Sequence, residues 1–361
     1  MLYIGVMSGT STDGADVILA DLAGSMPRTI GFHSEAFPSS LRTELLALNS
    51  AGGNEIERGC LAANALANIY ASGVAKLLGQ TGVSAEDVVA LGCHGQTVRH
   101  RPELGFTVQL NNPALLAELS GIDVIADFRS RDVAAGGQGA PLAPAFHDGV
   151  FRSPSETRVV VNIGGIANIT ILQKNQPVWG FDCGPGNCLM DAWIAKHLGK
   201  QFDENGGWAS QGRPLATLAS ELLGEEYFAQ SPPKSTGRDL FNPAWLARRL
   251  SGNENAIDVQ ATLLDLTAAT ITDQIKCLVP DCACVLVCGG GAQNGALMKR
   301  IGQMLPGVNM GKTDSFGVPA QQVEALAFAW LAKQAVDRHA LDLRSTTGAR
   351  RANILGALYP A

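Results

Sequence analysis

A short turn rich in glycine and hydroxyl groups lies close to the start of the chain. It reads SGTSTDG over residues 8–14 and separates two apolar segments, 2–7 and 15–22. Small residues let the backbone N–H groups and the hydroxyls of such a turn point towards one place, and phosphate is the usual occupant of such a nest. We therefore expect a strand, a phosphate-binding turn and a second strand.

Two groups of residues offer carboxylates. Asp13 and Asp16, in and after the turn, can hold Mg²⁺ through water, because this ion takes few carboxylates together with substrate phosphates. An Asx-turn explains the same two residues equally well. Asp182 ends a predicted strand over 177–181, just before the turn 184–186, and can act there as a general base. A helix cap or a turn-stabilising role remains open for this residue.

Glycine runs occur elsewhere in the chain. Residues 289–294 read GGGAQN after an apolar strand, which fits a dinucleotide-binding fingerprint except at its third glycine. We expect a strand-to-helix turn that lets a flat ligand such as a purine ring approach, with tight packing as the alternative. Residues 307–313 resemble a P-loop but are one residue too short, so we reject that interpretation.

Composition narrows the class of protein. The 361 residues carry a net charge of -6, which argues against nucleic acid as the main partner. The densest basic cluster, 99–101, is interpreted as a solvated loop. Eight cysteines without a CxxC pair indicate buried free thiols and a reducing cytoplasm. We expect a cytoplasmic protein with no membrane partner, because no apolar run approaches 18 residues and no secretory leader is recognisable.

The predicted elements alternate between strand and helix, as in an α/β fold. Strands 2–7, 15–22 and 29–37 precede helices 40–49 and 55–79, and three further strands begin at residue 158 in the same pattern. This pattern predicts a duplication into two lobes, 1–154 and 155–361, with mixed sheets flanked by helices. The C-terminal segment is free to return to the first lobe, and we expect a cleft between the lobes.

Six motifs occur in order along the whole chain. They are MSGTSxDGxD at 7–16, CHGQT at 93–97, ADFRxxDxAxGGQGAPL at 126–142, NIGGIAN at 162–168, FDCGPGN at 181–187 and CGGGxxN at 288–294. In this combination the chain resembles the anhydro-N-acetylmuramic acid kinases, a family of the actin and sugar-kinase superfamily, whose duplicated lobes enclose ATP.

The resemblance implies an activity. These bacterial enzymes act in cell-wall recycling. They open 1,6-anhydro-N-acetylmuramic acid with water and phosphorylate the freed 6-hydroxyl from ATP, with Mg²⁺ as cofactor. It implies catalytic roles for Asp182 as base and for Glu324, near the start of the last long helix, predicted over 319–339, as a second acid/base or orienting group. A solvated helix residue is the alternative for Glu324.

The resemblance also implies binding roles. The nucleotide is expected at Gly9, Thr10, Ser11, Thr12, Asp13, Gly14, Ala15, Asp16, Asn162, Gly164, Gly165, Gly289, Gly290, Gly291 and Asn294. The sugar is expected at Gln96, Asp127, Arg129 and Asn187. Arg129 is our own choice for the lactyl carboxylate, because a guanidinium recognises carboxylates bidentately.

Other interpretations remain. An actin-like nucleotide-binding protein would share the duplicated lobes and phosphate turns, but it needs neither the carboxylate of FDCGPGN nor the arginine of ADFR. A nicotinamide dehydrogenase would depend on one imperfect glycine run. His94 is expected to be a structural loop histidine. The sequence leaves the oligomeric state open, with a homodimer among the alternatives.

Overall fold

A computed structural model describes residues 1–9, 12–232 and 234–361. The chain forms two compact units. The first unit contains Met1–Val150 and Gln322–Ala361, and the second contains Phe151–Gln321. Glu324 therefore lies in the first unit, together with the opening turn.

The first unit is built on a six-stranded mixed sheet with the strand order β13-β7-β4-β1-β2-β3. A separate two-stranded sheet, β5-β6, falls between β4 and β7 in the sequence. Its strands are β1 (Leu2–Met7), β2 (Gly14–Asp21), β3 (Arg28–Ala36), β4 (Val88–Cys93), β5 (Gln96–Arg101), β6 (Phe106–Leu110), β7 (Val124–Ala126) and β13 (Ala357–Tyr359). Its helices are α1 (Ser39–Ala47), α2 (Glu55–Thr81), α3 (Pro113–Ser120), α4 (Ser130–Ala134), α12 (Val323–Val336) and α13 (Arg344–Thr347), and α5 (Ala143–Phe151) leads into the second unit.

Two long helices cover opposite faces of the six-stranded sheet. Ile4 and Val6 of β1 belong to the core cluster that also contains Leu66 and Tyr70 of α2. Gly5 lies between them and points to the other face, because side chains alternate along a strand. There a Cβ on Gly5 would lie 2.0 Å from the Ala325 carbonyl oxygen of α12. The backbone of α12 thus contacts the backbone of β1 directly.

The second unit repeats this plan on a five-stranded sheet with the order β10-β9-β8-β11-β12. Its strands are β8 (Thr157–Ile163), β9 (Ile166–Leu172), β10 (Trp179–Pro185), β11 (Cys282–Cys288) and β12 (Asn309–Lys312). Its helices are α6 (Cys188–Leu198), α7 (Ala216–Leu223), α8 (Glu226–Ala229), α9 (Pro243–Ala247), α10 (Ala256–Leu278) and α11 (Gly295–Met304). In both units an antiparallel hairpin and a third antiparallel strand precede a strand that pairs parallel with the first. This topology confirms the expected α/β duplication.

Several local expectations were wrong. The basic cluster 99–101 lies in β5, paired with β6, and Arg99 forms an ion pair with Glu55, 2.9 Å away. The last long helix is α12, so it begins four residues later than expected. The hairpin β5–β6 was missed because its strands are partly polar, and β13 was missed because it has only 3 residues.

All eight cysteines are free, as expected, but they are not all buried. Cys60 and Cys277 are exposed, and Cys282 is half-buried. Within the described ranges, no helix is both long enough and apolar enough to cross a membrane.

The contact between α12 and the sheet generates a stability prediction. A Cβ on Gly92 of β4 would lie 2.1 Å from the Phe328 carbonyl oxygen of α12. We therefore expect Gly92→Ala to lower the free energy of unfolding by about 1–3 kcal/mol, because packed cores resist extra atoms. Gly79→Ala is the matched control, since a Cβ at Gly79 in α2 would meet nothing within 4 Å. Its stability should be unchanged or higher by up to about 1 kcal/mol. Urea unfolding measures both variants, and equal midpoints would contradict the close contact.

Candidate functional site

The opening turn of the first unit is anchored at its base. The Ser8 hydroxyl shares a hydrogen bond with the Tyr70 hydroxyl, 2.9 Å away, and donates to the Gly95 carbonyl at 3.0 Å. The Gly9 carbonyl accepts from the Thr12 amide at 3.2 Å. Thr12 is buried and has a positive φ of 53°, which is uncommon outside glycine. Ser8, Gly9 and Thr12 are therefore held in place by hydrogen bonds to one another or to neighbouring segments.

The end of the turn needs a small residue. A Cβ on Gly14 would lie 2.5 Å from the Glu35 carbonyl oxygen, because β3 pairs closely with β2 here. Ala15 is buried. Thr10 and Ser11, two of the expected nucleotide contacts, lie outside the described residues.

The two carboxylates after the turn have different surroundings. Asp13 is exposed, whereas Asp16 is half-buried in β2. Burial raises the pKa of the Asp16 carboxyl, the hydrogen bond with Ser34 opposes this rise, and the negative charge of Asp13 adds to it. Two neighbouring carboxylates that repel each other fit a cation held with phosphate oxygens and water. No cluster of three or more His, Cys, Asp or Glu side chains suited to a metal occurs among the described residues.

Gln96 is buried at the start of β5, next to the opening turn. Its amide nitrogen donates to the Gly9 carbonyl at 3.1 Å. Its Oε1 atom is buried and accepts no hydrogen bond within the part of the chain that the structure describes. Because a buried polar atom without a partner is costly, this oxygen is a natural acceptor for a ligand donor.

Arg129 is fixed by two neighbours. Its Nε and one Nη atom donate to Nε2 of His94 at 3.0 and 2.9 Å, and its other Nη atom donates to the Gly139 carbonyl at 2.7 Å. A guanidinium has five N–H donors, so these bonds leave two for a ligand. Burial lowers the pKa of Arg129 to about 10, and the negative charges of Glu324 and Asp132 oppose that change.

His94 serves as a neutral acceptor in this arrangement. Burial, with a smaller contribution from the Arg129 charge, lowers the pKa of His94 to about 3. Its ring packs on Phe328 of α12, with the centroids 4.7 Å apart. His94 is thus structural, as expected, but it has the specific task of orienting Arg129.

Asp127 and Asp132 have roles that the sequence did not separate. Asp127 is exposed, has a positive φ of 58°, and accepts a hydrogen bond from the Ser130 amide at 3.3 Å before α4. Asp132 is 1% exposed and accepts from the Gly139 amide at 2.7 Å and the Thr347 hydroxyl at 2.8 Å. Asp132 therefore holds the loop whose Gly139 carbonyl contacts Arg129. No role was predicted for it.

The second unit has its own glycine turn between β8 and β9. The Gly164 carbonyl accepts from the Asn187 amide at 2.8 Å, and the Gly165 carbonyl accepts from the Gly186 amide at 2.9 Å. The Asn187 side chain donates to the Ile163 carbonyl at 3.2 Å. The NIGGIAN and FDCGPGN motifs, which are distant in sequence, thus form one surface.

The GGG turn packs against the same surface. A Cβ on Gly289 would lie 2.4 Å from Oδ1 of Asn162, and one on Gly291 would lie 2.3 Å from the Ile163 side chain. Tight packing therefore accounts for these two glycines. Gly290 is exposed, with only the Asn187 amide 3.7 Å from a Cβ position, so the turn is open to a ligand there. Asn294 caps α11 by accepting from the Leu297 amide at 3.0 Å.

Asp182 lies within β10 and not at its end, because the strand continues to Pro185. The pairing with β9 shifts between Asp182 and Gly184, which leaves Cys183 as an extra residue. Such β-bulges redirect a side chain and are common beside active sites. Oδ2 of Asp182 accepts from the Ser235 hydroxyl at 2.8 Å and the Thr236 amide at 3.0 Å. Burial raises the pKa of the Asp182 carboxyl, and these two hydrogen bonds moderate the rise.

Three residues of this site were missed in the sequence. Ser235 and Thr236 follow no strand or helix signal and lie 53 and 54 residues after Asp182. The guanidinium of the exposed Arg238 lies 3.2 Å from the Cβ position of Gly165, in the second glycine turn. Residues 234–238, KSTGR, are rich in small and polar residues. This composition was the only sign in the sequence that the segment belongs to a site.

The fold defines the class of this protein. Two units that each begin with three antiparallel strands, hold a glycine turn and continue with parallel strands form an α/β fold of the actin and sugar-kinase class. Component A of the Acidaminococcus fermentans (R)-2-hydroxyglutaryl-CoA dehydratase is similar in fold, with a TM-score of 0.50 over 91% of this chain and 96% of that one, at 13% identity. At this identity the similarity concerns the fold alone.

The sequence comparisons identify the family. The anhydro-N-acetylmuramic acid kinase family matches residues 1–361. The chain is 53% identical to the anhydro-N-acetylmuramic acid kinase of Cupriavidus pinatubonensis, over 99% of this chain and 98% of that protein. It is 55% identical to the Bordetella pertussis protein of the same name, over 100% and 96%. The chain belongs to the anhydro-N-acetylmuramic acid kinase family.

Two buried histidines of the first unit make stability depend on pH. Burial lowers the pKa of both His94 and His147 to about 3, against an ordinary value of 6.5. The unfolded chain therefore binds more protons between these values. The contribution of the two neutral histidines to the free energy of unfolding is complete above about pH 6.5. It falls as the pH drops towards 3, by up to about 1.4 kcal/mol per pH unit for each histidine.

The variant His147→Gln should remove one of these two contributions. Urea unfolding midpoints between pH 4 and 7 should fall less steeply for the variant than for the natural protein. Parallel pH profiles for the two proteins would show that His147 is not held neutral by burial.

Proposed function

We propose that this protein is an ATP-dependent kinase that hydrolytically opens 1,6-anhydro-N-acetylmuramic acid and phosphorylates the freed 6-hydroxyl. The product is N-acetylmuramic acid 6-phosphate, in the recycling of peptidoglycan. The observation that carries this proposal is the hydrogen bonding of the Asp182 carboxylate. Two donors hold its Oδ2, while Oδ1 accepts no hydrogen bond from the residues that the structure describes. Family membership supplies the identity of the sugar.

Asp182 is assigned as the general base. Its Oδ1 takes a proton from water while the water oxygen forms a bond to the anomeric carbon. The bond between that carbon and the anhydro oxygen breaks, and this oxygen attacks the γ-phosphorus of ATP. ADP leaves as the new phosphate ester forms. A carboxyl whose pKa is raised by burial is a stronger base than an ordinary one once it is ionised, which suits this task.

The proposed nucleotide contacts are assigned unit by unit. In the first unit the residues from Gly9 to Asp16 are assigned to the phosphates. In the second unit Asn162, Gly164 and Gly165 form the corresponding turn, and the open Gly290 of the GGG turn suits a flat purine ring. Gly289 and Gly291 give the turn its shape, and Asn294 caps the helix that follows it.

Phosphoryl transfer requires neutralisation of negative charge. Arg238 brings a guanidinium to the second glycine turn, and we assign it this role. Mg²⁺ bound with ATP supplies further positive charge, and Asp13 and Asp16 are the residues that would hold it through water.

The proposed sugar contacts are assigned residue by residue. Oε1 of Gln96 accepts a hydrogen bond from a sugar hydroxyl, and the two remaining N–H donors of Arg129 bind the lactyl carboxylate. Glu324, whose charge acts on Arg129, is assigned an orienting role. Asp127 and Asn187 are exposed and half-buried, respectively, so their side chains remain available to a ligand. Free cysteines and this substrate favour the cytoplasm as the location.

Labelled water tests the reaction and the role of Asp182. The protein, ATP, Mg²⁺ and 1,6-anhydro-N-acetylmuramic acid are incubated in heavy-oxygen water and quenched promptly, and the product is analysed by mass spectrometry. We expect the label on the anomeric carbon and none in the phosphate ester. Asp182→Asn should lose at least about 100-fold in turnover, since general base catalysis contributes that much, and should still bind ATP by calorimetry.

The matched control is Asp273→Asn, which changes a carboxylate that is 61% exposed and should leave turnover unchanged. Absence of a phosphorylated sugar would contradict the kinase and favour an actin-like nucleotide-binding protein. Loss of ATP binding in Asp182→Asn would show that the role of this residue is misassigned.

The assignment of Arg129 predicts substrate discrimination. Arg129→Lys should raise KM for 1,6-anhydro-N-acetylmuramic acid by about 10- to 100-fold, because lysine keeps the charge but cannot make the bidentate hydrogen bonds of a guanidinium. The same variant should show little change with an analogue that lacks the lactyl carboxylate. Arg131→Lys, an exposed position two residues further along α4, is the control. An equal rise in KM for both sugars would leave Arg129 with a structural role only.

A further inference from the structure

One segment contacts Asp182 at both its backbone and its side chain. We call this segment the strap and define it as residues 227–232 and 234–236. The Tyr227 hydroxyl donates to the Asp182 carbonyl at 2.7 Å, and the Asp182 amide donates to the Lys234 carbonyl at 3.3 Å. Ser235 and Thr236 then reach the carboxylate itself. Four hydrogen bonds from one segment therefore converge on a single residue.

The strap is closed on itself by a buried lysine. Lys234 is 8% exposed, and its ammonium donates to the carbonyls of Tyr227 and Phe228, each at 3.2 Å. It also lies 4.8 Å from the centre of the Tyr227 ring. These contacts join the two ends of the strap, so the donors at Tyr227 and Ser235 hold a fixed separation.

The strap also packs on the bulge that carries Asp182. Gly184 has a φ of 153°, and a Cβ there would lie 2.7 Å from the Phe228 ring. Phe228 in turn stacks on Phe241, with the centroids 5.5 Å apart. A bulge directs the side chain of Asp182, and an aromatic wall supports the bulge from the strap side.

We infer that the strap selects the reactive oxygen of Asp182, and that Ser235 is a positioning residue which holds Oδ2 so that Oδ1 receives the proton. This inference rests on the proposed role of Asp182 as general base. The Ser235 hydroxyl and the Thr236 amide bind the same oxygen, which prevents the carboxylate from exchanging its two oxygens by rotation. Nothing in the sequence motif FDCGPGN contains this information, because both donors lie on the strap.

The strap has two effects on the base that can be separated. Ser235 donates to the ionised carboxylate and therefore favours the charged form, which opposes the effect of burial. Tyr227 donates to the backbone carbonyl of Asp182 and does not touch the carboxylate. Loss of Ser235 should thus change both the ionisation and the orientation of the base, whereas loss of the Tyr227 hydroxyl should change orientation alone.

The test compares the pH profile of kcat in four variants. Ser235→Ala should move the acidic limb of the profile to higher pH by about half a pH unit to one pH unit, because one hydrogen-bond donor to the charged carboxylate is lost. Ser235→Thr should restore the limb, since it keeps the hydroxyl. Tyr227→Phe should lower kcat without moving the limb. Ser210→Ala, which removes an exposed hydroxyl bonded to the Gly207 carbonyl, is the control and should match the natural protein.

A direct measurement covers the case in which another step limits kcat. Aspartate labelled with ¹³C at the side-chain carboxyl is incorporated, and the signal missing in Asp182→Asn is assigned to Asp182. Its titration should move upwards in Ser235→Ala and stay in place in Tyr227→Phe. An unchanged titration in Ser235→Ala would overturn the inference about the strap, even if Asp182→Asn is inactive. Full activity of Asp182→Asn would instead overturn the role of Asp182 as general base, and absence of a phosphorylated sugar with the natural protein would overturn the proposed function.

Discussion

Each unit depends on the same constraint: removing a carboxylate from water is costly, and hydrogen-bond donors to the ionised oxygens must offset that cost. Asp132 in the first unit receives the Gly139 amide and the Thr347 hydroxyl, the latter from 215 residues away. Asp182 in the second unit receives Ser235 and Thr236. In each unit one carboxylate thus fixes a loop, and the first of these loops presents a carbonyl to Arg129.

Close contact between backbones is the second constraint. Helix α12 lies against β1 and β4 at Gly5 and Gly92, where any side chain would clash with helix carbonyls. That contact places Glu324, in the first turn of α12, where its charge acts on Arg129. It also brings Phe328 onto the His94 ring, which keeps His94 buried and neutral as an acceptor. The packing and the electrostatics around Arg129 and His94 therefore have a common origin.

Much of the fold was predictable because hydrophobic periodicity and turn residues are local signals. The opening hairpin, its repeat at residue 158 and the long helices α2 and α10 follow from such signals. The hairpin β5–β6 and the edge strand β13 do not, because they are short and gain stability from neighbours in space.

The sequence by itself determined the duplication, the glycine turns and the family, because each depends on residue types in a fixed order. It also identified Asp182 and Arg129 as residues of interest. Only the tertiary structure decided that Asp182 lies on a bulge beneath the strap, that His94 orients Arg129, and that Gly289 and Gly291 serve packing while Gly290 is open. The hydrogen bonds to His94 and to Asp182 join residues that are 35 to 54 positions apart in the sequence. Such contacts form only when the chain has folded.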